Sequence, residues 1–319
     1  MNITKDNINT IVFICNFEKK IENSFNYQIL GVDILEEKKY IFSGHETFHC
    51  KGFWLKKGYD YVKQGRKFID ESCISLGVGR NMVSSIRFWL KAFNIIDQQN
   101  EEITPLGNFI FNENNGVDKY LENETTLWLL HFSLIQTNFS SIYSIIFNEI
   151  RKTKPEFNKS NLIAFLNEHN VSFNENTVNK DFSVLTRTYF SKSNDKEDSF
   201  SGILSSLELL EEIKHKDSNK YIIHNKKTNS IPVELLLFCI LENDKYGLSI
   251  SHKSLSGDAN SIGNIFAMNN DQLDEKLTEL SSLYKEINYT SNSGVKELQF
   301  KNKNLNSYSI LRDYYENQA

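Results

Sequence analysis

Between Arg80 and Phe93 the apolar residues Met82, Ile86, Trp89, Leu90 and Phe93 recur at steps of three and four, while Arg80, Ser84, Arg87 and Lys91 form a second stripe of the same period. The pattern predicts a helix with an apolar back and a basic front. Upstream, Phe53, Trp54, Tyr61 and Val62 fall at helical spacing, and the run stops at Gly65. Phe68 to Leu76 predicts a second, short helix, and Gly77-Val78-Gly79 a turn. Downstream, 94–96 and 102–104 flank the polar tip DQQNE as two short strands of a hairpin would, and Thr104-Pro105 opens another helix with a cap and a proline at its first position. Helix, helix, glycine turn, helix, hairpin, helix is the order of a winged helix-turn-helix.

Further along, the pattern predicts paired apolar helices over 125–135 and 139–150, broken at Thr137-Asn138, and two more over 158–167 and 176–189. Residues 191–199 (SKSNDKEDS) read as a linker or surface loop. Then follow a helix over 203–213, a strand over 221–224, a helix over 231–241 capped by Ser230, a helix over 271–283, and a hairpin of 286–290 with 295–300. The chain is thus expected to be mainly α with short β-hairpins. Its expected parts are an untyped extension (1–38) holding the strand-like TIVFICNF, a winged helix-turn-helix (39–124), a helical domain (125–192), and a mixed α/β winged-helix-like part (200–319).

Composition sharpens this. At 319 residues, with 39% hydrophobic content and 13% aromatics, the chain can bury proper cores. Its formal net charge is -5, but residues 51–93 hold nine basic side chains against three acidic, so that segment stands at +6 and the remainder at -11. Polyanion binding depends on such local fields and not on the chain total. Cys15, Cys50, Cys73 and Cys239 form no C-x-x-C pair, which fits a reducing cytoplasm. The uncharged stretch 127–147 is interrupted by His131, Gln136, Asn138 and several serines, and reads as two buried helices and not as a membrane span.

FSGHETFHC (42–50) contains H-E-x-x-H, the spacing of zinc proteases. A zincin needs that motif inside a helix of several turns, with a third ligand. Gly44 and Gly52 bracket too short a frame. A structural zinc site from His45, His49, Cys50 and Cys73 is the other metal reading, and a packed, hydrogen-bonded loop leading into the first helix is ahead of both. In the basic helix, Arg80 and Asn81 sit where base edges would be reached in a major groove, with Ser84, Arg87 and Lys91 along the same front. Lys63, Arg66 and Lys67 support it from the preceding helix and loop. No nuclease pattern stands out. Asp118 reads as the start of a turn and His131 as buried.

FSGHETFHCKGFWLKKGYD, LGVGRNMVSSIRFWLKAF, ITPLGNFIF and VDKYLENETTLWLLHF together resemble the SspB-like family of bacterial DNA phosphorothioation and phage-defence operons, long catalogued as of unknown function. The similarity runs from about Tyr40 to near the C-terminus and is strongest over 42–150; SLSGDANSIG departs from it, where a proline-richer turn is expected. The resemblance implies a protein that binds double-stranded DNA and nicks it so that sulfur can be incorporated. PAPS-reductase-like and ATPase proteins of the same operon would be its partners. His45 and Glu46, in the strongest motif, become the catalytic residues to test, and a divalent ion (Mg or Mn) the expected cofactor of a nickase. The rival reading is a non-catalytic DNA-binding adaptor or transcriptional regulator of the same system, and a weaker third is a protein-interaction module.

Overall fold

A computed structural model describes residues 40–190, 202–214, 219–292, 294–302 and 304–318. The extension 1–38 with its TIVFICNF piece and the polar run 191–199 lie outside the described residues.

The first helices are α1 (Gly52–Lys63), α2 (Ser72–Leu76), α3 (Arg80–Ala92) and α4 (Pro105–Phe111). The second is shorter than the apolar pattern predicts, because the Ser72 hydroxyl accepts the Ile69 amide and turns the chain there. Gly77 ends it in the left-handed region (φ 61), so the glycine turn is where the sequence puts it. The hairpin is reduced to one bridge, Ile96 with Ile103, flanked by bonds from Asp97 N–H to Glu102 C=O (2.8 Å) and from Thr104 N–H to Ile95 C=O (3.1 Å). Thr104 caps α4 through the Gly107 amide, with Pro105 at its first position, as expected.

Two apolar helices follow: α5 (Glu124–Gln136), then α6 (Ser141–Ile145), which passes through a π-helical turn (Ile146–Ile150) into α7 (Arg151–Thr153). Among the described residues no helix is long and apolar enough to cross a membrane. Next come β1 (Glu156–Phe157), α8 (Lys159–Glu168) and α9 (Glu175–Tyr189). The helix expected over 203–213 is corrected to a 3-10 turn (Ser205–Leu207) and a strand, β2 (Leu210–Ile213). Glu208 stands at φ 53, which an α-helix cannot carry through, and β2 instead pairs with β3 (Lys220–Ile223), Leu210 opposite Ile223. The unforeseen β1 completes an antiparallel sheet in the order β1-β3-β2.

Helix α10 (Val233–Leu241) starts two residues later than predicted and has no side-chain cap. Ser230 closes a preceding 3-10 turn, where its hydroxyl meets Trp128 Nε1 and Glu124. The remaining elements are β4 (Ser249–Ser251), α11 (His252–Gly257), α12 (Ile262–Ile265), α13 (Asn270–Leu283), β5 (Ile287–Asn292), β6 (Val295–Phe300) and α14 (Ser307–Gln318). The predicted hairpin is β5 and β6, and β4 adds to it in the antiparallel order β4-β6-β5. The fold is therefore mainly α with two small antiparallel sheets.

One large apolar core runs from Cys50 to Tyr315, and a second, small cluster of Tyr61, Leu76 and Val83 seats α2 against α1 and α3. Helix α14 is wedged into the large core: the Phe109 ring of α4 lies 5.4 Å from Tyr308 and 6.0 Å from Tyr315, and Thr126 of α5 shares a 2.8 Å hydroxyl bond with Tyr315. His131 is fully buried, as the sequence reading has it. The Ile265 carbonyl takes its Nε2 proton at 2.7 Å, so Nδ1 is the acceptor for the Tyr189 hydroxyl, also at 2.7 Å. Burial pushes this imidazole down to about 4, although the bond to Ile265 works the other way. It is a neutral rivet joining α5, α9 and α12.

Candidate nucleic-acid interface

Helix α3 separates its two stripes as its sequence dictates. Ile86, Trp89, Leu90 and Phe93 are fully buried, and Met82 is partly covered. Arg80, Asn81, Ser84 and Arg87 are exposed on the other side, with Lys91 half-buried at the far end. Truncating a residue such as Trp89 would cost about 3–5 kcal/mol, so the back fixes the helix and leaves the front free to be chosen for polarity. Against α1 the approach is close: a Cβ on Gly58 would stand 2.5 Å from a Leu90 methyl. The amino end of α3 has Gly79 as its cap residue, with no side-chain cap among the described residues.

The front is unevenly charged. Glu101, from the hairpin tip, reaches both Arg87 (2.5 Å) and Lys91 (2.6 Å), while Lys91 also donates to the Gln98 carbonyl. Burial pushes the Glu101 carboxyl up, but the bonds and charges of Arg87 and Lys91 outweigh it and hold the group below the usual carboxylate range. The carboxyl half of the ridge is thus partly neutralised by the hairpin tip. At the amino half, among the described residues, Arg80 has Asp70 as its ion-pair partner at 3.6 Å, with both side chains more than 70% exposed, a geometry worth little in water. Lys63, Arg66 and Lys67 are exposed in the preceding helix end and loop, Arg66 lying 5.7 Å from the Tyr61 ring. The unneutralised positive charge therefore gathers around 63–67 and the start of α3.

The GHETF loop is not helical: α1 begins only at Gly52, so H-E-x-x-H has no helical face to present. His45 is 3% exposed. Its Nδ1 accepts the Thr47 amide at 3.2 Å, which leaves the proton on Nε2, directed at Asp181 Oδ1 at 2.9 Å. The same carboxylate accepts the Ser43 amide. The ring packs parallel to Trp89 and edge-on to Phe88 of α3. Gly44 sits at φ 100 with room for nothing larger, since a Cβ there would be 2.6 Å from Phe88 Cδ2. Arg187 donates to the Thr47 carbonyl at 2.7 Å, and Trp89 Nε1 to that of Phe48 at 3.1 Å. The motif is a plug locked between α3 and α9. Of the pair singled out from the sequence, Glu46 faces solvent and His45 does not.

Asp181 and Arg187 complete this site and were not foreseen as parts of it. The GHETF stretch is the packed, hydrogen-bonded loop that stood ahead of the metal readings; among the described residues no group of three or more His, Cys, Asp or Glu is placed to hold a metal ion, and burial raises the Cys50 thiol well above its ordinary value. Asp118 is the turn residue expected, its carboxylate accepting the Glu122 and Asn123 amides.

Residues 42–315 match the model of a family described as a protein of unknown function, DUF4007. Two solved structures share the fold with a TM-score of 0.73: a magnesium ion-bound SspB at 23% identity and an SspB at 22%, each alignment covering 86% of this chain and 88% of the other. No curated protein matches the chain.

Proposed function

The chain belongs to the DUF4007 family, and from that premise we propose that it is a DNA-binding component of a phosphorothioation-linked anti-phage defence system. The motifs that resemble the SspB-like family agree with the family match and with the shared SspB fold. The observation that carries the DNA reading is α3: a buried apolar back, an exposed front of Arg80, Asn81, Ser84 and Arg87, and an uncapped amino end beside Lys63, Arg66 and Lys67. Free amides and cations at a helix start suit a phosphate, and polar side chains just inside it suit base edges. In this reading the winged helix-turn-helix is the segment expected over 39–124, α3 is its recognition helix, and the tip at 97–101 is its wing.

A gel shift on duplex DNA tests this. Arg80→Ala and Arg87→Glu should weaken binding without unfolding the protein, and affinity should fall steeply between about 50 and 200 mM salt. Unchanged affinity in both variants would remove the reading.

Nicking of the bound strand extends the proposal. The exposed Glu46 stands in the loop behind α3, whereas His45 has both ring nitrogens engaged in the fold. One SspB structure is described as magnesium ion-bound. Among the described residues the carboxylates here do not form a cage for such an ion, so no step is routed through one. The sealed His45 favours the second reading, a non-catalytic adaptor that delivers DNA to sulfur-transfer partners. Supercoiled plasmid with the pure protein and Mg or Mn separates the two: open-circular product supports the nickase, and its absence with intact duplex binding supports the adaptor.

A further inference from the structure

The sheet β4-β6-β5 has one closed edge and one open edge. On β5 the Ser281 hydroxyl of α13 accepts the Tyr289 amide and donates to the Ile287 carbonyl, so the outward backbone groups there are met within the fold. On β4 the edge is bare. Phe300 N–H donates to the Leu248 carbonyl at 2.7 Å, and Ile250 stands opposite Leu298. Backbone groups alternate along an antiparallel ladder, so Leu248 and Ile250 turn theirs toward β6, and Ser249 turns its N–H and C=O away from it. Among the described residues no strand lies beyond β4, and Gly247, Leu248 and Ser249 are exposed. A strand edge in this state is a template for another extended chain.

Beside this edge a groove of about 770 Å³ runs over Ser249, Gln299 and Asn288, which stand opposite one another on the three strands. Leu248, 51% exposed, gives it an apolar rim. Lys285 and Lys301 also line it, and neither has a carboxylate partner among the described residues; Lys301 donates to the Lys285 carbonyl. Glu297, further along β6, is engaged by the Ser249 and Gln299 side chains. Two cations and an apolar contact therefore adjoin unpaired backbone groups. Such an edge selects polypeptide over nucleic acid, because a sugar-phosphate chain has no repeating amide to pair with it. The ring in the lining, Phe300, is 5% exposed and offers no face to a base.

We propose that β4 and this groove bind an extended acidic segment of a partner protein. The segment adds as a fourth strand on Ser249, sets a carboxylate against Lys285 and Lys301, and lays an apolar side chain on Leu248. The surface shares no residue with the duplex reading, so either can fail alone.

The test is fluorescence anisotropy of the full chain with a labelled peptide, about ten residues long, that alternates glutamate and valine. Two companions are run beside it: one with lysine in place of glutamate, and one N-methylated along its length, which keeps the charge but lacks the amides. Lys285→Glu combined with Lys301→Glu should weaken the glutamate peptide about ten-fold and leave duplex affinity and the urea midpoint unchanged. Ser249→Pro removes the outward N–H and spares the bonds to β6, so it too should weaken the peptide about ten-fold. If it also lowers the urea midpoint, the N-methylated peptide supplies the same comparison on the unaltered chain. Arg80→Ala should weaken the duplex and spare the peptide. Equal binding of the glutamate and N-methylated peptides would show that the edge is not used and would overturn the proposal. So would failure of the glutamate peptide to bind, binding indifferent to the two lysine changes, or equal binding of the lysine peptide. A labelled oligothymidylate that binds through Lys285 and Lys301 where the peptide does not would assign the groove to nucleic acid instead.

Discussion

Asp181, in the middle of α9, accepts the Nε2 proton of His45, 136 positions earlier in the chain, at 2.9 Å. Both side chains are shut off from water, and the carboxylate also takes the Ser43 amide, so three groups from two distant segments satisfy one another. An asparagine at this position has an oxygen for one of the two N–H donors and must turn its own N–H₂ toward the other. Asp181→Asn should therefore lower stability by about 1–3 kcal/mol, measured as the urea midpoint, while leaving duplex affinity of the folded protein intact. An unshifted midpoint would show that the loop is held by other contacts.

Gly44 makes the same loop sensitive to a single methyl group. Its φ of 100 and the 2.6 Å approach to Phe88 leave alanine both strained and clashing. Gly44→Ala should cost about 1–3 kcal/mol and should perturb Phe88, on the back of α3. Thermal unfolding checks the first effect and the near-ultraviolet dichroism of the aromatic cluster the second.

Glu101 restrains the charge of the ridge. Its carboxylate occupies Arg87 and Lys91 at once, so Glu101→Gln should release both for phosphate contacts. The expected result is tighter duplex binding, with a salt dependence steeper by about one to two phosphate contacts, read from gel shifts across an ionic-strength series. Weaker binding would mean that Glu101 positions Arg87 and does not compete for it.

His131 ties stability to pH. Its folded value of about 4 lies below that of a free imidazole, so protonation favours the unfolded chain. The neutral ring contributes fully above about pH 6.5, and that contribution is lost as pH falls toward 4, at up to about 1.4 kcal/mol per pH unit. Urea unfolding at several pH values should show this slope, and His131→Gln should flatten it by about one proton.

The stripes of α3, the glycine turn at Gly77 and the proline-led α4 were legible because each depends on residues within a few positions of one another. The role of Glu101 was not: in sequence it is one polar residue of a hairpin tip, and only the reversal at Ile96 and Ile103 folds it back over Arg87. Asp181 was hidden for a stronger reason. Nothing in a helix such as TVNKDFSVL marks which polar position turns inward to meet a loop in another part of the chain. The helix expected at 203–213 failed because its leucines also suit a strand, and a partner strand was available in β3. His45 is likewise fixed by a partner 136 positions away that its own motif does not name.

Tyr308 and Tyr315 press on Phe109 from the last helix, and Tyr315 also holds Thr126. The segment that carries the proposed DNA-reading surface therefore leans on residues almost two hundred positions downstream. A fragment ending after α4 would expose the Phe109 ring to water and lose its keystone, so excising the amino-terminal portion as a minimal DNA binder should yield a sticky, poorly folded piece.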